Sequence, residues 1–395
     1  MLRRRVHTAL LALMALALPF HALADGKGDG DSSCGVVRLV KNLGTFIDSM
    51  SIQGLDRRYI ESPEKPWQII VTGNVNQSDL KMKATLSGKD MFADDWGDIY
   101  WEPHIQTDIS TYAGVWLGYR GYGLGYSKNV GGDKGSLLKF GAMGGRYGVN
   151  LRIHKFQTDE PEVKISGYMP DWYEGTSDYV LTSPIRVRTL SLDGYYLFNG
   201  KKFSYAAAYD QSVIQKRSAG SFMAGAMYYH SSINYHDGLD ADFILFMNDI
   251  GQMKQSQLSF GAGYAYNLVP CKGLLVSLIA MPMLTVYNRL QVWRYHSNLR
   301  EKAYAERQNP EPEREDEDDY DIDDYIDDFT VWPVGSSTHH SRMTLNFDAR
   351  LSVTYNLGNW FINAYGQFSN FRYKFDLNSG RLNDWYINAS IGLRL

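Results

Sequence analysis

The last eleven residues of the chain alternate strictly between apolar and polar side chains. The apolar set consists of Trp385, Ile387, Ala389, Ile391, Leu393 and Leu395. The polar set consists of Tyr386, Asn388, Ser390, Gly392 and Arg394. Because successive side chains of a β-strand point to opposite faces, this pattern predicts a strand with one apolar and one polar face. The apolar face continues to the final residue, where the end of a soluble domain usually frays.

This strand resembles the C-terminal strand of bacterial outer-membrane barrels, which alternates in the same way before a terminal hydrophobic residue. The usual terminal residue is Phe, and Leu395 stands in its place here. The resemblance implies that barrel-assembly machinery recognises the strand and that its apolar face contacts outer-membrane lipids. The alternative is a half-buried strand of a soluble β-sandwich.

The same alternation recurs along the chain from residue 67 onward. It covers residues 105–117, 147–153, 258–268 and 345–355. Tilted strands need about ten residues to cross the hydrocarbon layer, and repeated alternation of that length is typical of membrane barrels. The 28 tyrosines, 9 tryptophans and 37 glycines fit such a fold. We therefore expect an up-and-down antiparallel transmembrane β-barrel over residues 67–395, with about twelve strands (range 10–14).

The beginning of the chain has the features of a secretory signal peptide. Arg3, Arg4 and Arg5 precede a short apolar run, and Ala22-Leu23-Ala24 forms a cleavage site. We expect cleavage near Ala24, a periplasmic segment over residues 25–66 with a short helix over residues 36–51, and a location in the outer membrane of a Gram-negative bacterium.

An acidic segment dominates the charge of the chain. The formal net charge is −4, yet residues 311–328 contain twelve acidic residues and one arginine. The rest of the mature chain is therefore slightly basic, and it shows no basic footprint for nucleic acid. We expect residues 296–340 to form an extracellular loop that contains this segment.

Asp319, Asp321 and Asp323 are weak candidates for a divalent-cation site in that loop. Their spacing matches the start of an EF-hand, but position six is Asp324 instead of Gly and position twelve is Thr330 instead of Glu. A solvated acidic loop is the alternative. The sequence predicts no cofactor.

Three further stretches identify the chain with a known family. They are Gly54-Leu55-Asp56-Arg57-Arg58-Tyr59-Ile60 with Trp67, Tyr195-Tyr196-Leu197-Phe198-Asn199 with Phe203-Ser204, and Gln215-Lys216-Arg217-Ser218-Ala219-Gly220-Ser221. They resemble domain of unknown function 4421, a family of Bacteroidota whose members look like outer-membrane proteins. The resemblance implies no catalytic residues.

Two histidines lie next to serines, at His230-Ser231 and His340-Ser341. A nucleophilic serine needs a histidine within hydrogen-bond reach and a third group that orients it. Direct neighbours on a strand point to opposite faces, so neither pair fits that geometry. An outer-membrane lipid hydrolase is accordingly the third functional hypothesis, and we expect no catalytic residues.

The chain contains two cysteines, Cys34 and Cys271. Both are predicted to lie on the periplasmic side, where an oxidising environment permits a disulfide bond between them. Two separate thiols are the alternative.

Gly121-Tyr122-Gly123-Leu124-Gly125 looks superficially like a nucleotide-binding loop. It lacks a following Lys-Ser/Thr, and strand glycines packed against aromatic residues explain it better.

Charged residues on the polar faces are predicted to face the lumen, because an arginine facing lipid at mid-membrane costs roughly 2–4 kcal/mol. The predicted set is Asp108, Arg146, Arg152, Asp348 and Arg350. An open lumen would make the protein a pore or small-solute uptake channel, which is the first functional hypothesis. A filled lumen would make it a structural or surface-interaction barrel, which is the alternative.

Overall fold

The computed structural model describes residues 54–86, 99–107, 109–132, 134–158, 162–169, 173–181, 184–234, 244, 247, 249–298, 330–341, 343–375 and 378–395. The predicted signal peptide (residues 1–24), the predicted helix over residues 36–51 and the acidic segment lie outside these residues. Strands and helices are numbered below in chain order. No helix among the described residues is long and apolar enough to span a membrane.

Twelve of the described strands form one closed antiparallel barrel. They are β2 (Trp67–Leu86), β4 (Ser110–Tyr119), β5 (Tyr122–Gly131), β6 (Lys134–Met143), β7 (Tyr147–Thr158), β10 (Ile185–Leu197), β12 (Ala219–Asn234), β13 (Ile250–Leu268), β14 (Leu274–Ser297), β16 (Thr344–Leu357), β17 (Trp360–Phe375) and β18 (Asn378–Arg394). The barrel closes where β18 pairs with β2, from Arg394 opposite Gln68 to Ser379 opposite Lys83. The predicted twelve-stranded up-and-down β-barrel is therefore confirmed.

The remaining described strands are not part of the barrel wall. They are β1 (Ile60–Glu61), β3 (Ile99–Gln106), β8 (Glu162–Met169), β9 (Tyr173–Val180), β11 (Ile214–Gln215) and β15 (Val331–His340). β3, β8 and β9 extend the sheet in the order β2-β3-β8-β9, and β15 pairs with the end of β14. The stretch predicted as an extracellular loop over residues 296–340 thus contains a strand at its C-terminal end.

The two ends of the barrel differ in the length of their connections. Residues 120–121, 144–146, 269–273 and 358–359 make short turns at the end where the chain terminates, here called the turn end. Gly273 and Gly358 have φ values of +88° and +63°, a conformation that costs glycine nothing. The opposite end is called the loop end; it carries the long connections 87–109, 159–184, 235–249 and 298–343 and two short ones, 132–133 and 376–377. Bacterial outer-membrane barrels place short turns in the periplasm and long loops outside.

Side chains are distributed in the opposite way to those of a soluble barrel. Leu351 on β16 points outward and is 51% exposed, whereas its neighbours Arg350 and Ser352 point inward and are buried. Outward aromatic side chains cluster towards the turn end, at Trp67, Phe222, Tyr264, Tyr266 and Trp360. An apolar exterior with an aromatic girdle and a polar interior is the arrangement that a membrane-spanning barrel requires.

The glycine-rich stretch of β5 packs against an aromatic side chain. A Cβ atom built on Gly123 or Gly125 would lie 2.3 or 2.7 Å from the indole ring of Trp116 on β4. Only glycine leaves room for that ring on the inner face. This confirms that these glycines serve strand packing.

Candidate functional site: the barrel lumen

The connection between β10 and β12 turns back into the barrel from the turn end. Its residues 203–215, called the plug segment below, include the short helix α1 (Ala206–Tyr209) and β11. Phe203 and Ala208 are fully buried, and Gln211 is only 2% exposed. The chain's own backbone therefore occupies the turn-end part of the lumen.

The local sequence explains the shape of the plug segment. Three successive alanines, Ala206 to Ala208, favour a helix and let its backbone approach the wall closely. The backbone N–H of Ala207, in the first turn, donates to Ser204 Oγ at 3.2 Å and so gains a partner that the helix itself does not supply. Gln211 adopts a φ of +60° and ends it.

The barrel wall holds the C-terminal end of α1. The carbonyl oxygen of Ala208 accepts hydrogen bonds from Ser352 Oγ at 2.6 Å, Asn363 Nδ2 at 3.0 Å and Thr354 Oγ1 at 3.5 Å. The last carbonyl groups of a helix lack partners within the helix, and here donors on β16 and β17 supply them. The polar inner face of the wall is thus matched to the plug segment.

Gln215 connects the plug segment to its surroundings. Its Nε2 donates to the carbonyl groups of Lys202 at 2.7 Å and Arg217 at 2.9 Å. Its Oε1 accepts from Ser204 N at 3.0 Å and from Asn267 Nδ2 on β13 at 3.1 Å. A buried amide with this many partners fixes the position of both ends of the plug segment.

The stretches that carry the family resemblance meet at this site. Ile60 of β1 pairs with Gln215 of β11, which brings residues 54–60 against residues 215–221. In the first stretch, hydrogen bonds from Arg58 lower the pKa of Asp56 to about 2. The motif residues therefore build the turn-end closure of the barrel.

Arg350 forms the charged centre of the lumen. Its Nε donates to Asp348 at 2.9 Å, its Nη2 lies 3.2 Å from Asp193 on β10, and its Nη1 donates to the Tyr205 hydroxyl of the plug segment. All three charged groups are almost fully buried. Gln367 adds a hydrogen bond to Asp348 at 3.0 Å. The cluster joins three strands to the plug segment.

A second polar cluster lies on the opposite wall. Arg152 on β7 forms an ion pair with Asp384 on β18 at 2.8 Å. Lys139 on β6 donates to Asn74 Oδ1 at 3.1 Å and to the hydroxyl of Tyr386. A cavity of about 110 Å³ lies between the two clusters and the plug segment. It has room for a few water molecules.

Charges in this part of the lumen balance. Among the described side chains in its middle and turn-end parts, the cations are Lys139, Arg152, Arg350 and Arg394. The carboxylates are Asp193, Asp210, Asp348 and Asp384. A selective pore uses an excess of one sign to attract solutes, and this set has no such excess. Ion pairs join Arg152 to Asp384 and Arg350 to both Asp193 and Asp348.

Apolar side chains fill the loop-end part of the lumen. They are Leu80, Met82, Phe156, Ile185, Val187, Tyr229, Ile233, Met253, Leu290, Val292, Phe371, Tyr373 and Leu382. The rings of Tyr229 and Phe371 stack across the lumen with centroids 3.8 Å apart. This packing resembles the core of a soluble domain and excludes water from that end.

The predicted lumen residues have different positions. Arg152, Asp348 and Arg350 lie on the inner face. The prediction for Arg146 is wrong, because β7 begins only at Tyr147 and the Arg146 side chain is exposed in the preceding turn. Asp108 lies outside the described residues, as do Asp319, Asp321, Asp323 and Cys34. Among the residues that the structure does describe, no cluster of His, Cys, Asp and Glu could hold a metal ion.

Several lumen residues escaped the sequence analysis. Asp193, Lys139 and Asp384 face inward on strands whose apolar and polar side chains alternate. Their position in that alternation could have predicted that they face the lumen. Asp210 and the rest of the plug segment offered no such signal, because four helical residues are too few to show a period.

The histidines considered for lipid hydrolysis lie at the loop end, His230 on β12 of the wall and His340 on β15. His230 Nδ1 contacts Ser256 Oγ on the adjacent strand at 2.9 Å, a partner other than its sequence neighbour Ser231. Its Nε2 has no hydrogen-bond partner within the described part of the chain. A catalytic serine requires a third group at that nitrogen. His340 lies opposite Arg289 at the β14–β15 pairing.

A closed barrel, an apolar exterior and a lumen filled by the chain itself define a plugged membrane β-barrel. The chain belongs to the family described as Domain of unknown function (DUF4421), whose pattern matches residues 102–394. No curated protein matches the chain.

The chain is similar to several solved structures at low sequence identity. The outer membrane protease OmpT from Escherichia coli has 8% sequence identity and a TM-score of 0.40, covering 84% of this chain and 97% of its own. The translocator domain of the autotransporter NalP from Neisseria meningitidis has 9% identity and a TM-score of 0.30, covering 91% and 97%. OprG from Pseudomonas aeruginosa has 10% identity and a TM-score of 0.27, covering 84% and 98%.

Proposed function

We propose that the protein is a non-conducting barrel of the bacterial outer membrane whose function lies in the surface at its loop end. The observation that carries the proposal is the plug segment, whose Ala208 carbonyl is held by Ser352 and Asn363 of the wall. The apolar exterior supports the membrane location, and the short turns support a periplasmic C-terminus. The filled-lumen alternative is thus favoured over the pore hypothesis.

A pore function would require several independent contacts to break at once. The plug segment would have to leave Arg350, Arg394 and Asn267, which bind it from three strands. Arg350 would lose the Tyr205 hydroxyl and Arg394 would lose the Gln211 carbonyl, and a hydrogen bond to a charged group contributes about 1.5–3 kcal/mol. The apolar packing around Tyr229 and Phe371 would also have to open.

The loop end presents two extended sheets. The β2-β3-β8-β9 sheet and the β14–β15 pair project beyond the barrel strands, and β15 follows the acidic segment directly. Carboxylate oxygens are the preferred ligands of hard divalent cations. We propose that this surface binds divalent cations or a cationic partner through residues 311–328.

Solute release from proteoliposomes tests the central part of this proposal. Liposomes containing the purified protein should retain a small neutral sugar and potassium ions as well as protein-free liposomes do. Liposomes containing an open general porin provide the positive control. Release at a rate similar to that of the porin would overturn the filled-lumen proposal.

Calorimetric titration tests the proposed role of the acidic segment. Calcium should bind the intact protein in detergent, and deletion of residues 311–328 should abolish the binding while the barrel keeps its resistance to unfolding in detergent. Equal calcium binding by the intact and deleted proteins would exclude the segment as the binding site.

A further inference from the structure

Cationic side chains are concentrated on the outer face of the barrel at its loop end. Along β17 and β18, Phe368 and Trp385 face outward in one cross-strand pair. Arg372 and Arg381 form another outward-facing cross-strand pair, four residues further towards the loop end. The arginines therefore share the outward parity of Phe368 and Trp385. On the other side of the strand, the Arg372 carbonyl accepts hydrogen bonds from the buried side chains of Gln257 and Asn288.

These cations form a row across three neighbouring strands. Arg372 lies directly opposite Arg381, and Arg381 lies directly opposite Lys81 on β2. In the adjacent outward row, Ser379 lies between Lys374 and Lys83. These residues, Lys81, Arg372, Arg381 and the adjacent Lys374 and Lys83, are called the cationic row below. Like charges placed directly opposite each other destabilise a sheet, so the cationic row lowers the stability of the protein alone.

Among the described residues, carboxylates leave most of the cationic row without an ion pair. Within the described part of the chain, Lys81, Arg372, Lys374 and Arg381 have no carboxylate within ion-pair distance. The nearby carboxylates Glu102 and Asp79 are paired with Lys83 at 4.0 Å and with His104 at 3.0 Å. The row lines an open groove of about 790 Å³. The charge of the groove favours an anionic ligand.

The cationic row lies beyond the last outward aromatic pair of these strands, Phe368 and Trp385. Four residues of strand correspond to about 13 Å, which a tilt of about 40° reduces to roughly 10 Å along the membrane normal. The row thus lies just above Phe368 and Trp385, which mark the edge of the apolar belt. A second pair of facing cations, Lys155 and Arg188, lies on a different part of the wall.

We propose that the cationic row binds the phosphate groups of a phosphorylated glycolipid in the outer leaflet. Guanidinium groups match phosphate oxygens in a bidentate manner, and lysine adds point charges. The row continues downward into the lipid-facing surface, so a ligand with acyl chains beside Phe368 fits this groove better than soluble phosphate does. This inference concerns the outer wall and is independent of whether the lumen conducts.

The test compares two triple variants with equal changes in charge. The first is Lys81→Gln, Arg372→Gln and Arg381→Gln in the cationic row. The control is Lys65→Gln, Lys201→Gln and Lys272→Gln, which are exposed lysines at the turn end. Native mass spectrometry in detergent measures binding of diphosphorylated lipid A, the same lipid without phosphates, and inorganic pyrophosphate.

The wild type and the control should bind diphosphorylated lipid A at least tenfold more tightly than the first variant does. Loss of the lipid phosphates should weaken binding by the wild type to a similar extent. A further variant, Arg372→Lys with Arg381→Lys, should bind more tightly than the first variant but less tightly than the wild type, because lysine keeps the charge and lacks the bidentate geometry.

Three results would overturn the proposal. Equal lipid affinity of the two triple variants would show that the cationic row is not the lipid-binding site. Equal affinity of the wild type for pyrophosphate would assign the groove to a soluble phosphate compound. Binding that appears only after deletion of residues 311–328 would assign the groove to the chain's own acidic segment.

Discussion

Arg394, the penultimate residue, donates two hydrogen bonds to the main-chain carbonyl of Gln211, from Nε at 3.2 Å and from Nη2 at 2.9 Å. Its side chain is 1% exposed. The same guanidinium donates to Asn356 Oδ1 at 2.7 Å. The strand that ends the barrel thus also holds the plug segment at the point where α1 stops.

Arg394→Met should destabilise the protein by about 3 kcal/mol, because it leaves the Gln211 carbonyl and the Asn356 amide oxygen buried without a donor. Urea unfolding in detergent measures the loss. Arg146→Met provides the matched control, since Arg146 is exposed in a turn and should change stability by less than about 0.5 kcal/mol. Equal effects of the two substitutions would show that Arg394 does not hold the plug segment.

Arg350→Met should destabilise the protein more than Asp348→Asn does. Removal of the cation leaves both Asp348 and Asp193 buried without it, whereas Asp348→Asn leaves the pair between Arg350 and Asp193 intact. Breaking a buried pair costs about 3–5 kcal/mol. The urea midpoints of the two variants give the order, and a reversed order would mean that these groups contact water in an open lumen.

Leu351→Arg tests the assignment of inner and outer faces. Leu351 is 51% exposed and faces outward near the middle of β16, where an arginine should cost roughly 2–4 kcal/mol. Leu357 also faces outward but lies at the turn end of β16. Leu357→Arg should therefore cost only about 0–1 kcal/mol, because the cost of an arginine falls towards the membrane interface. Refolding yield and urea stability in lipid vesicles measure both. Better tolerance of Arg at position 351 would place that face towards the lumen.

The predicted bond between Cys34 and Cys271 has a direct chemical test. Cys271 is an exposed free thiol in the turn between β13 and β14, and Cys34 lies outside the described residues. Non-reducing mass spectrometry of trypsin fragments should find the two cysteine peptides joined. Recovery of both peptides alkylated without prior reduction would refute the bond.

Alternation along the chain was sufficient to predict the barrel, because each side-chain face has a single environment. It also placed Asp348 and Arg350 on the inner face. The rule failed where the environment changes along one face: Leu80 and Met82 share the inner face of β2 with Asn74, yet they belong to an apolar core at the loop end.

The plug segment could not be predicted, because its stability comes from tertiary contacts. Ala206 to Ala208 have no pattern that distinguishes a buried helix from an exposed turn. Their position depends on Asn363, which is 155 residues away in the chain. Arg146 was misplaced for a simpler reason, since parity identifies a face only within the limits of a strand.

Thiol labelling in the membrane tests the filled lumen most directly. In a background with Cys34→Ser and Cys271→Ser, Ala208→Cys and Lys201→Cys each provide one thiol, at a fully buried and at an exposed position of the same connection. A water-soluble, membrane-impermeant thiol reagent is added to proteoliposomes from both sides. The plugged barrel predicts rapid labelling at position 201 and at least hundredfold slower labelling at position 208. Similar labelling rates at the two positions would contradict it.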